Sequence, residues 1–543
     1  MRYVKIIQIN DANRGKACVK TEGNQMLLAL SNKISEIDRY CADNLGLSLY
    51  TLMGRSGEAV ASAVSDMLAP ESRIVILAGK GNNGGDGYAA ACLLFDRYDV
   101  TVYDVFSSGQ RSEEGRAYLE KFKNMGGRIE NFEPNDKSIT EIKTADCIID
   151  AVFGTGYRGD PPEVLRILCR TVNESVRPLK IAIDVPMGIN ADNGSVDTTS
   201  AVTVSATVAL SMIKPGLVSF PAKAYVGRLI YTDLGIPGEK IRENFSFSYH
   251  LVDRPLAAKL LPDRAENTSK GSFGRLLLLT GSDKYRGAAA LSLSAALRGG
   301  AGYTVYMGTE TLVSHLSQIY PEAIYESIPG IETITDPDIE RIVAESKKAT
   351  VTLIGSGSYA SEGLYRLVKA LLESDGGTLV LDADAINVLA DKKEEGRALL
   401  SRSERTVILT PHPLEFARLS GNTVSDVQLH RIEAALKFAA EHRVILALKG
   451  AATVVTDGVT VYINSSGSSA LSKAGSGDVL AGFVSSLVAS GADPLTGTAL
   501  SVFLHGSAAD ALSTELSAFS VTPSDLPLEI GRQISILEKH NKR

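Results

Sequence analysis

The chain has no tryptophan and only five cysteines in 543 residues. Cys18, Cys41, Cys92, Cys147 and Cys169 all fall in the first third, and none stands in C-x-x-C spacing. That pattern argues against a disulfide framework or a zinc site and predicts reduced thiols, used as core filler in a cytoplasmic protein. No apolar run approaches the roughly 20 residues needed to span a bilayer. The opening stretch MRYVKIIQINDANRGKACVK lacks an uninterrupted apolar segment before a small-residue cleavage site, so no export signal is read. Positive charge is also scarce, with 56 Lys and Arg against 63 Asp and Glu and a net charge of -7. A general nucleic-acid surface is not expected, and anions must be bound by backbone amides and a few cations.

What is present is ample core material. Apolar residues make up 44% and charged residues 22%, the balance of a globular protein, and the length predicts two domains. From Leu27 to Met67 the pattern is helical, with Ile34, Ile37, Tyr40 and Cys41 on one face; the first 26 residues read as an extension. The runs RIVILAG, DVTVYDV, DCIIDAVFG, KIAIDVP, VTVSATVAL and GRLIYTDLG then alternate with helical segments. A polar, proline-broken stretch, Pro237 to Leu256, separates them from a second series: GRLLLLTGS, GYTVYMG, VTLIGSG, GTLVLDADA, TVILTPHPLE, VILALKGAATVVTDG and VTVYINSSG. Continuous apolar strands between helices predict parallel sheets covered on both faces. Two α/β domains, 1–240 (core from about 27) and 241–543, are expected, with the last two runs forming a hairpin.

In the first half, RIVILAGKGNNGGDGYAAACLLF contains Gly79, Gly81 and Gly84 in G-x-G-x-x-G order and runs from a strand into a helix. Free amides and the positive helix end favour a diphosphate there. Asp104 lies 20 residues beyond Gly84, where a dehydrogenase keeps its ribose-binding acid, so hydride transfer is open on spacing. The same loop carries Asn82, Asn83 and Asp86, which a dinucleotide fingerprint does not need. CIIDAVFGTGYRGD ends a strand at Asp150, before a turn with Tyr157, Arg158 and Asp160; IAIDVPMGINADNG ends one at Asp184. Asp86, Asp150 and Asp184 should face one crevice. Together they suit a hard cation with oxygen ligands and an acid/base carboxylate better than hydride transfer.

In the second half, ALSKAGSGDVLAGFVSSLVAS places Gly475, Ser476 and Gly477 at a helix start, where amides can hold an anion, with Asp478 beside it as a base toward a hydroxyl. Gly355 and Gly357, Asp382 and Asp384, His412 and Glu415, and Lys449 and Gly450 end neighbouring strands. They are expected at the same site.

GKGNNGGDGYAAA, DAVFGTGYRG, DVPMGINADNG and VGRLIYTDLGIP resemble the NAD(P)H-hydrate epimerase domain, over roughly Leu27 to Pro237. The resemblance implies a Rossmann-like three-layer α/β/α fold in which Asn82, Asn83, Gly84, Gly85, Asp86, Gly154, Thr155, Gly156, Tyr157, Arg158, Gly159, Asp160 and Asp184 contact the hydrated dinucleotide. It also implies potassium held by Asn83, Asp150 and the Met187 carbonyl, and proton transfer by Asp184. The G-x-G-D loop of the second half resembles the ribokinase-like superfamily. KGSFGRLLLLTGSDKYRGAAALSLSAALRGGAGYTVYM, LDADAIN, LTPHPLE, LKGAATVV and AGSGDVLAG resemble its ADP-dependent NAD(P)H-hydrate dehydratases, from about Asp253 onward. By that resemblance Ala288, Gly357, His412 and Asp478 contact the substrate. Lys449, Gly450, Ala451, Ala452, Thr453, Gly475, Ser476 and Gly477 hold the nucleotide, ADP with Mg2+, and Asp478 is catalytic.

The implied partners are NADHX, NADPHX and ADP/AMP in a homo-oligomer, with neither nucleic acid nor membrane. The competing reading is a ribokinase-like small-molecule kinase with a non-catalytic dinucleotide-binding N-terminal domain. The chain departs from the family pattern at Met187 (usually Ser), at Gly54-Arg55 (usually Glu-Asn), at Leu414 (often Gly), and in INSSGSSAL.

Overall fold

The computed structural model describes residues 6–9, 26–106, 109–155 and 161–541. The chain divides into two compact units, Met1–Tyr249 and His250–Arg543.

The first unit is built on eight strands: β1 (Ile6–Ile9), β2 (Arg73–Ala78), β3 (Asp99–Asp104), β4 (Arg128–Asn131), β5 (Cys147–Ala151), β6 (Leu179–Ile183), β7 (Ala206–Leu210) and β8 (Arg228–Thr232). Their order is β1-β8-β7-β6-β5-β2-β3-β4. All neighbours are parallel except β1 on β8. Alternation along β2 gives each face its own core: Ile74, Ile76 and Ala78 pack on one side, and Val75 and Leu77 on the other. The chain leaves β2 in one direction for β3 and β4 and returns on its other side as β5. Ligands of open parallel sheets sit outside the carboxyl ends of the strands at such a reversal.

The helical stretch expected over Leu27 to Met67 is two helices, Ser31–Leu45 and Leu49–Met67. Gly46, left-handed at φ 65, stops the first, and the Ser48 hydroxyl caps the second by accepting from the Thr51 amide at 3.2 Å. Cys41, Cys92, Cys147 and Cys169 are free thiols in the core; Cys18 lies outside the described residues.

The second unit contains β9 (Tyr249–Val252), β10 (Arg275–Leu279), β11 (Tyr303–Gly308), β12 (Ile324–Ser327), β13 (Val351–Ile354), β14 (Thr378–Leu381), β15 (Val407–Leu409), β16 (Ile445–Leu448), β17 (Val454–Thr456) and β18 (Val461–Asn464). The order is β12-β11-β10-β13-β14-β15-β16-β17-β18-β9. From β12 to β16 the sheet is parallel, and its reversal falls between β10 and β13.

Two local readings differ from the sequence expectation. VILALKGAATVVTDG, read as one strand, is two antiparallel strands, β16 and β17. Gly450 (φ 145) and Ala452 (φ 54) lie in the left-handed region and turn the chain back. The stretch Pro237 to Leu256, read as irregular, includes β9, which joins the second sheet beside β18. Among the described residues no helix is long and apolar enough to cross a membrane.

Candidate active sites

At the reversal of the first sheet the loops after β2 and β5 open onto a cavity of about 490 Å³. Lys80, Gly81, Asn82, Asn83 and Asp86 line it from one loop, and Val152 to Thr155 from the other. Gly84 and Gly85 are in the same turn but face protein. A Cβ on Gly84 would lie 1.9 Å from the Gly79 oxygen, and one on Gly85 would lie 2.6 Å from Met53 Cε. These two glycines therefore allow strand, turn and helix to close on one another.

Two buried polar atoms facing this region have no protein partner among the described residues, Asn83 Oδ1 and Ser211 Oγ. Buried groups of this kind are normally satisfied, so unpaired ones in a cavity wall call for a ligand.

The cavity also gathers four carboxyl groups, Asp38, Asp86, Glu114 and Asp184, and two amines, Lys80 and Lys214. Asp184 sits at the end of β6 with φ 63, a strained conformation for aspartate. Its Oδ1 accepts from the Leu210 amide at 3.1 Å and from Lys214 Nζ. Lys214 is 1% exposed and also donates to the Leu210 carbonyl at 2.9 Å. Burial, then the charge of Asp184, pushes Asp86 well above the carboxylate range, against a hydrogen bond from Ser56. Asp86 therefore holds its proton more tightly than an ordinary carboxyl. Burial likewise raises Asp38 to about 6, opposed by Lys214.

Asp150 lies beneath this layer, 2% exposed. Its oxygens accept the amides of Val152 at 3.2 Å and Met187 at 2.7 Å. Asn83 Nδ2 donates to the Phe153 carbonyl at 2.6 Å, and the Met187 carbonyl accepts from the Val202 amide at 3.0 Å. Asn83 Oδ1 has no partner among the described residues, and with Asp150 and the Met187 carbonyl it offers oxygen, the donor type that hard cations take. Tyr157, Arg158, Asp160, Gly156 and Gly159 lie outside the described residues.

Asp104, the acid a dehydrogenase would need, is paired with Arg111 and accepts the Phe106 amide at 3.2 Å. It does not line the cavity. The two positions departing at Gly54 and Arg55 do not line it either, and Arg55 is tied to the Leu234 carbonyl at 2.7 Å.

In the second unit the expected loops converge around Asp382. Its carboxylate is 1% exposed and accepts from Ser356 Oγ at 2.8 Å, Thr410 Oγ1 at 2.7 Å and Lys449 Nζ at 2.9 Å. Burial works against the charge on Lys449, but Asp382 and Glu415 outweigh it and hold the ammonium above its ordinary pKa. A Cβ on Gly477 would be 3.2 Å from Lys449 Nζ, so the amine lies directly beneath the Gly475–Gly477 turn. That turn opens the helix Ser476–Ala489. Ser476 Oγ is buried there without a protein partner among the described residues.

Asp478 follows in the first turn of this helix. Burial, then the charge of Asp382, raises it to about 7, against the pull of Lys449. Glu415 is raised by burial to about 7 as well. His412, expected to touch substrate, also caps a helix: its Nδ1 accepts the amides of Leu414 and Glu415, both at 3.2 Å, while Glu415 Oε2 accepts the His412 amide at 2.8 Å. Burial and Lys449 hold its pKa below the ordinary value, so the ring is neutral with the proton on Nε2. At the departing position Leu414 the cap uses only the backbone amide. Gly357 and Ala288 touch: a Cβ on the glycine would lie 2.5 Å from the alanine Cβ.

Residues 276–532 match the family model described as NAD(P)H-hydrate dehydratase, and residues 49–216 match that described as YjeF-related protein N-terminus. The chain is 32% identical to the bifunctional NAD(P)H-hydrate repair enzyme Nnr of Moorella thermoacetica, over 92% of this chain and 95% of that one.

The chain belongs to the bifunctional NAD(P)H-hydrate repair enzyme family.

Nnr of Escherichia coli is 29% identical over 90% of each chain. An ADP/ATP-dependent NAD(P)H-hydrate dehydratase from Bacillus subtilis, co-crystallised with ATP/Mg2+, is 30% identical over 53% of this chain and 98% of that one, with a TM-score of 0.47. Both units of this repair enzyme are α/β folds built on a mainly parallel sheet.

Sequence reasoning missed Asp38, Ser56 and Lys214 in the first site and Arg431 in the second. Arg431 is 2% exposed and donates to the Lys449 carbonyl at 3.2 Å, bracing the strained Lys449–Thr453 turn. The usable signal was a single lysine inside the apolar run ALSMIKPGLV, since an unpaired ammonium would not be buried there.

Proposed function

We propose that the N-terminal unit interconverts the R and S forms of hydrated NADH or NADPH, and that the C-terminal unit dehydrates the S form at the expense of ADP. One observation carries this reading. Each unit pairs a lysine with one carboxylate, the buried Lys214 with Asp184 and the largely buried Lys449 with Asp382, and leaves a second carboxyl close by, Asp86 or Asp478, whose proton affinity is raised by burial.

In the first unit Asp184 is paired with Lys214, while burial raises the proton affinity of Asp86, so one site offers both a base and an acid. Asp86, its proton affinity raised by burial, protonates the hydroxyl of the hydrated ring as its C–O bond breaks. The ring nitrogen supplies the electron pair and leaves a planar iminium. Asp184, held by Lys214, takes the proton from water returning to the other face. Asn83, Asp150 and the Met187 carbonyl would hold potassium, which would fix the turn through charge. Asn82, Gly154 and Thr155 meet the remainder of the dinucleotide.

In the second unit Asp478 removes the proton of the added hydroxyl, whose oxygen attacks the terminal phosphorus of ADP. The bond to the departing AMP breaks while the Gly475–Gly477 amides and Lys449 balance the phosphoryl charge. Magnesium arriving with the nucleotide would neutralise further phosphate charge. The new phosphate ester then leaves as phosphate as a proton is lost from the adjacent ring carbon, restoring the reduced nicotinamide.

The test supplies mixed R and S NADHX with ADP and follows regenerated NADH by absorbance. Both epimers should be consumed. Asp478→Ala should abolish dehydration of either, whereas Asp184→Ala should slow the R form alone, by 100-fold or more on the usual scale of roughly 10²–10⁴ for an acid/base group. Consumption of R by Asp184→Ala well above the spontaneous epimerisation rate would overturn the N-terminal assignment.

A further inference from the structure

Dehydration as described uses the carboxyl edge of the second sheet from β13 to β17, yet the sheet reverses between β10 and β13. At that reversal, loops 280–285 and 355–359 interlock: the Gly281 amide donates to the Ser356 carbonyl at 2.7 Å, and Ser358 Oγ to the Leu279 carbonyl at 3.3 Å. Beyond them lies a cavity of about 220 Å³ at the ends of β10, β11 and β12, lined by Ser282, Asp283, Lys284, Thr309, Glu332 and Ser358 among others.

Two tyrosines stand next to lining residues in the chain, Tyr285 after Lys284 and Tyr359 after Ser358. They are 44% and 43% exposed. Lys284 Nζ lies 5.3 Å from one ring centroid and 5.6 Å from the other, so both rings surround one cation. A Cβ on Gly357 would come 3.0 Å from Tyr285 Cβ, which places that tyrosine against the loop expected to touch substrate. Tyr359 is held at φ 66, and its amide donates to Asp384 Oδ2 at 2.9 Å. A non-glycine residue in that conformation costs energy and is kept where its position matters. Large aromatic rings left half in water beside a cavity are stacking surfaces for planar rings.

We propose that this cavity is the subsite for the adenosine end of the dinucleotide substrate, with Tyr285 and Tyr359 stacking on its base at the mouth and Lys284 meeting its diphosphate. The inference rests on the dehydratase reading above. The order of the strands sets the direction. ADP approaches from the Lys449–Thr453 turn between β16 and β17, and the hydrated ring occupies the middle by Gly357 and Asp478. The rest of the substrate must leave toward β10–β12, where Asp283 and Glu332 can accept ribose hydroxyls.

The test compares NADHX with hydrated reduced nicotinamide mononucleotide, which lacks the adenylyl half, on the full chain at saturating ADP. Lys284→Ala and Tyr359→Ala should each raise KM for NADHX about tenfold, the scale of one lost base stack or charge contact. KM for the mononucleotide should move less than twofold, and Tyr359→Phe should restore NADHX use. A parallel rise of both KM values, or no rise for NADHX, overturns the subsite. Failure of the unaltered chain to dehydrate NADHX would instead overturn the functional reading on which it rests.

Discussion

Asp478 is poised by its surroundings. Burial and the neighbouring charge of Asp382 raise it to about 7, and Asp384 and Glu415 raise it further against Lys449. As a base it works when ionised, so kcat/KM for dehydration should fall about tenfold per unit as pH drops below about 7. Glu415 is itself raised to about 7, so the acid limb belongs to a coupled set of carboxyls. Glu415→Gln keeps an oxygen for the His412 amide but removes one negative charge near Asp478. The sign is then fixed: proton affinity at Asp478 falls, and the acid limb should move to lower pH by up to about one unit. A pH profile of kcat/KM with S-NADHX measures it, and a shift to higher pH would contradict this charge arrangement. The expectation of His412 as a ligand group was drawn from its strand-end position and the family resemblance; the structure adds a second role, since its Nδ1 is already spent on two helix amides.

Elements account for what could and could not be read from sequence. Strands β2, β5, β13 and β14 are continuous apolar runs, and burial on both faces makes such runs legible. The end of β16 was not, because the turn that separates it from β17 depends on left-handed Gly450 and Ala452 and on Arg431 behind them, nothing a hydropathy pattern encodes. Among site residues, strand-end acids such as Asp184 stood out, while Asp38 read as one polar position on an amphipathic helix. Its partner Lys214 is far away in sequence, and only the fold joins them. The departure at Gly54 also has an element-level cause. A Cβ there would lie 2.5 Å from Tyr118 Oη, and the Tyr118 ring is stacked on Tyr50 at 4.6 Å. Gly54→Ala gains about 1 kcal/mol of helix propensity but must displace that hydroxyl, a cost of roughly 1–3 kcal/mol. Net destabilisation of about 1 kcal/mol is expected in denaturant unfolding. Tyr118→Phe removes the obstruction, so in that background the same substitution should become neutral or stabilising. Equal effects in both backgrounds would refute the steric account.

At the scale of the molecule, the described residues that line each site come from one unit. The first cavity draws on residues between Ile34 and Leu234, and the Asp382–Lys449–Asp478 centre with its neighbouring cavity draws on residues from Leu279 onward. The two half-reactions share only the hydrated dinucleotide, which can then pass between sites on separate molecules. Asp184→Ala, lacking epimerisation, and Asp478→Ala, lacking dehydration, should therefore complement each other when mixed. Together they should convert both epimers of NADHX completely, although either alone leaves substrate behind. Because the S form must now diffuse from one chain to the other, conversion of the R form should show a lag that lengthens as both variants are diluted. The unaltered chain, releasing S beside free copies of the same enzyme, should show the same concentration dependence. A mixture that consumes only S, or an unaltered chain whose R lag does not change on dilution, would mean that the intermediate passes within one chain and that the sites do not act independently.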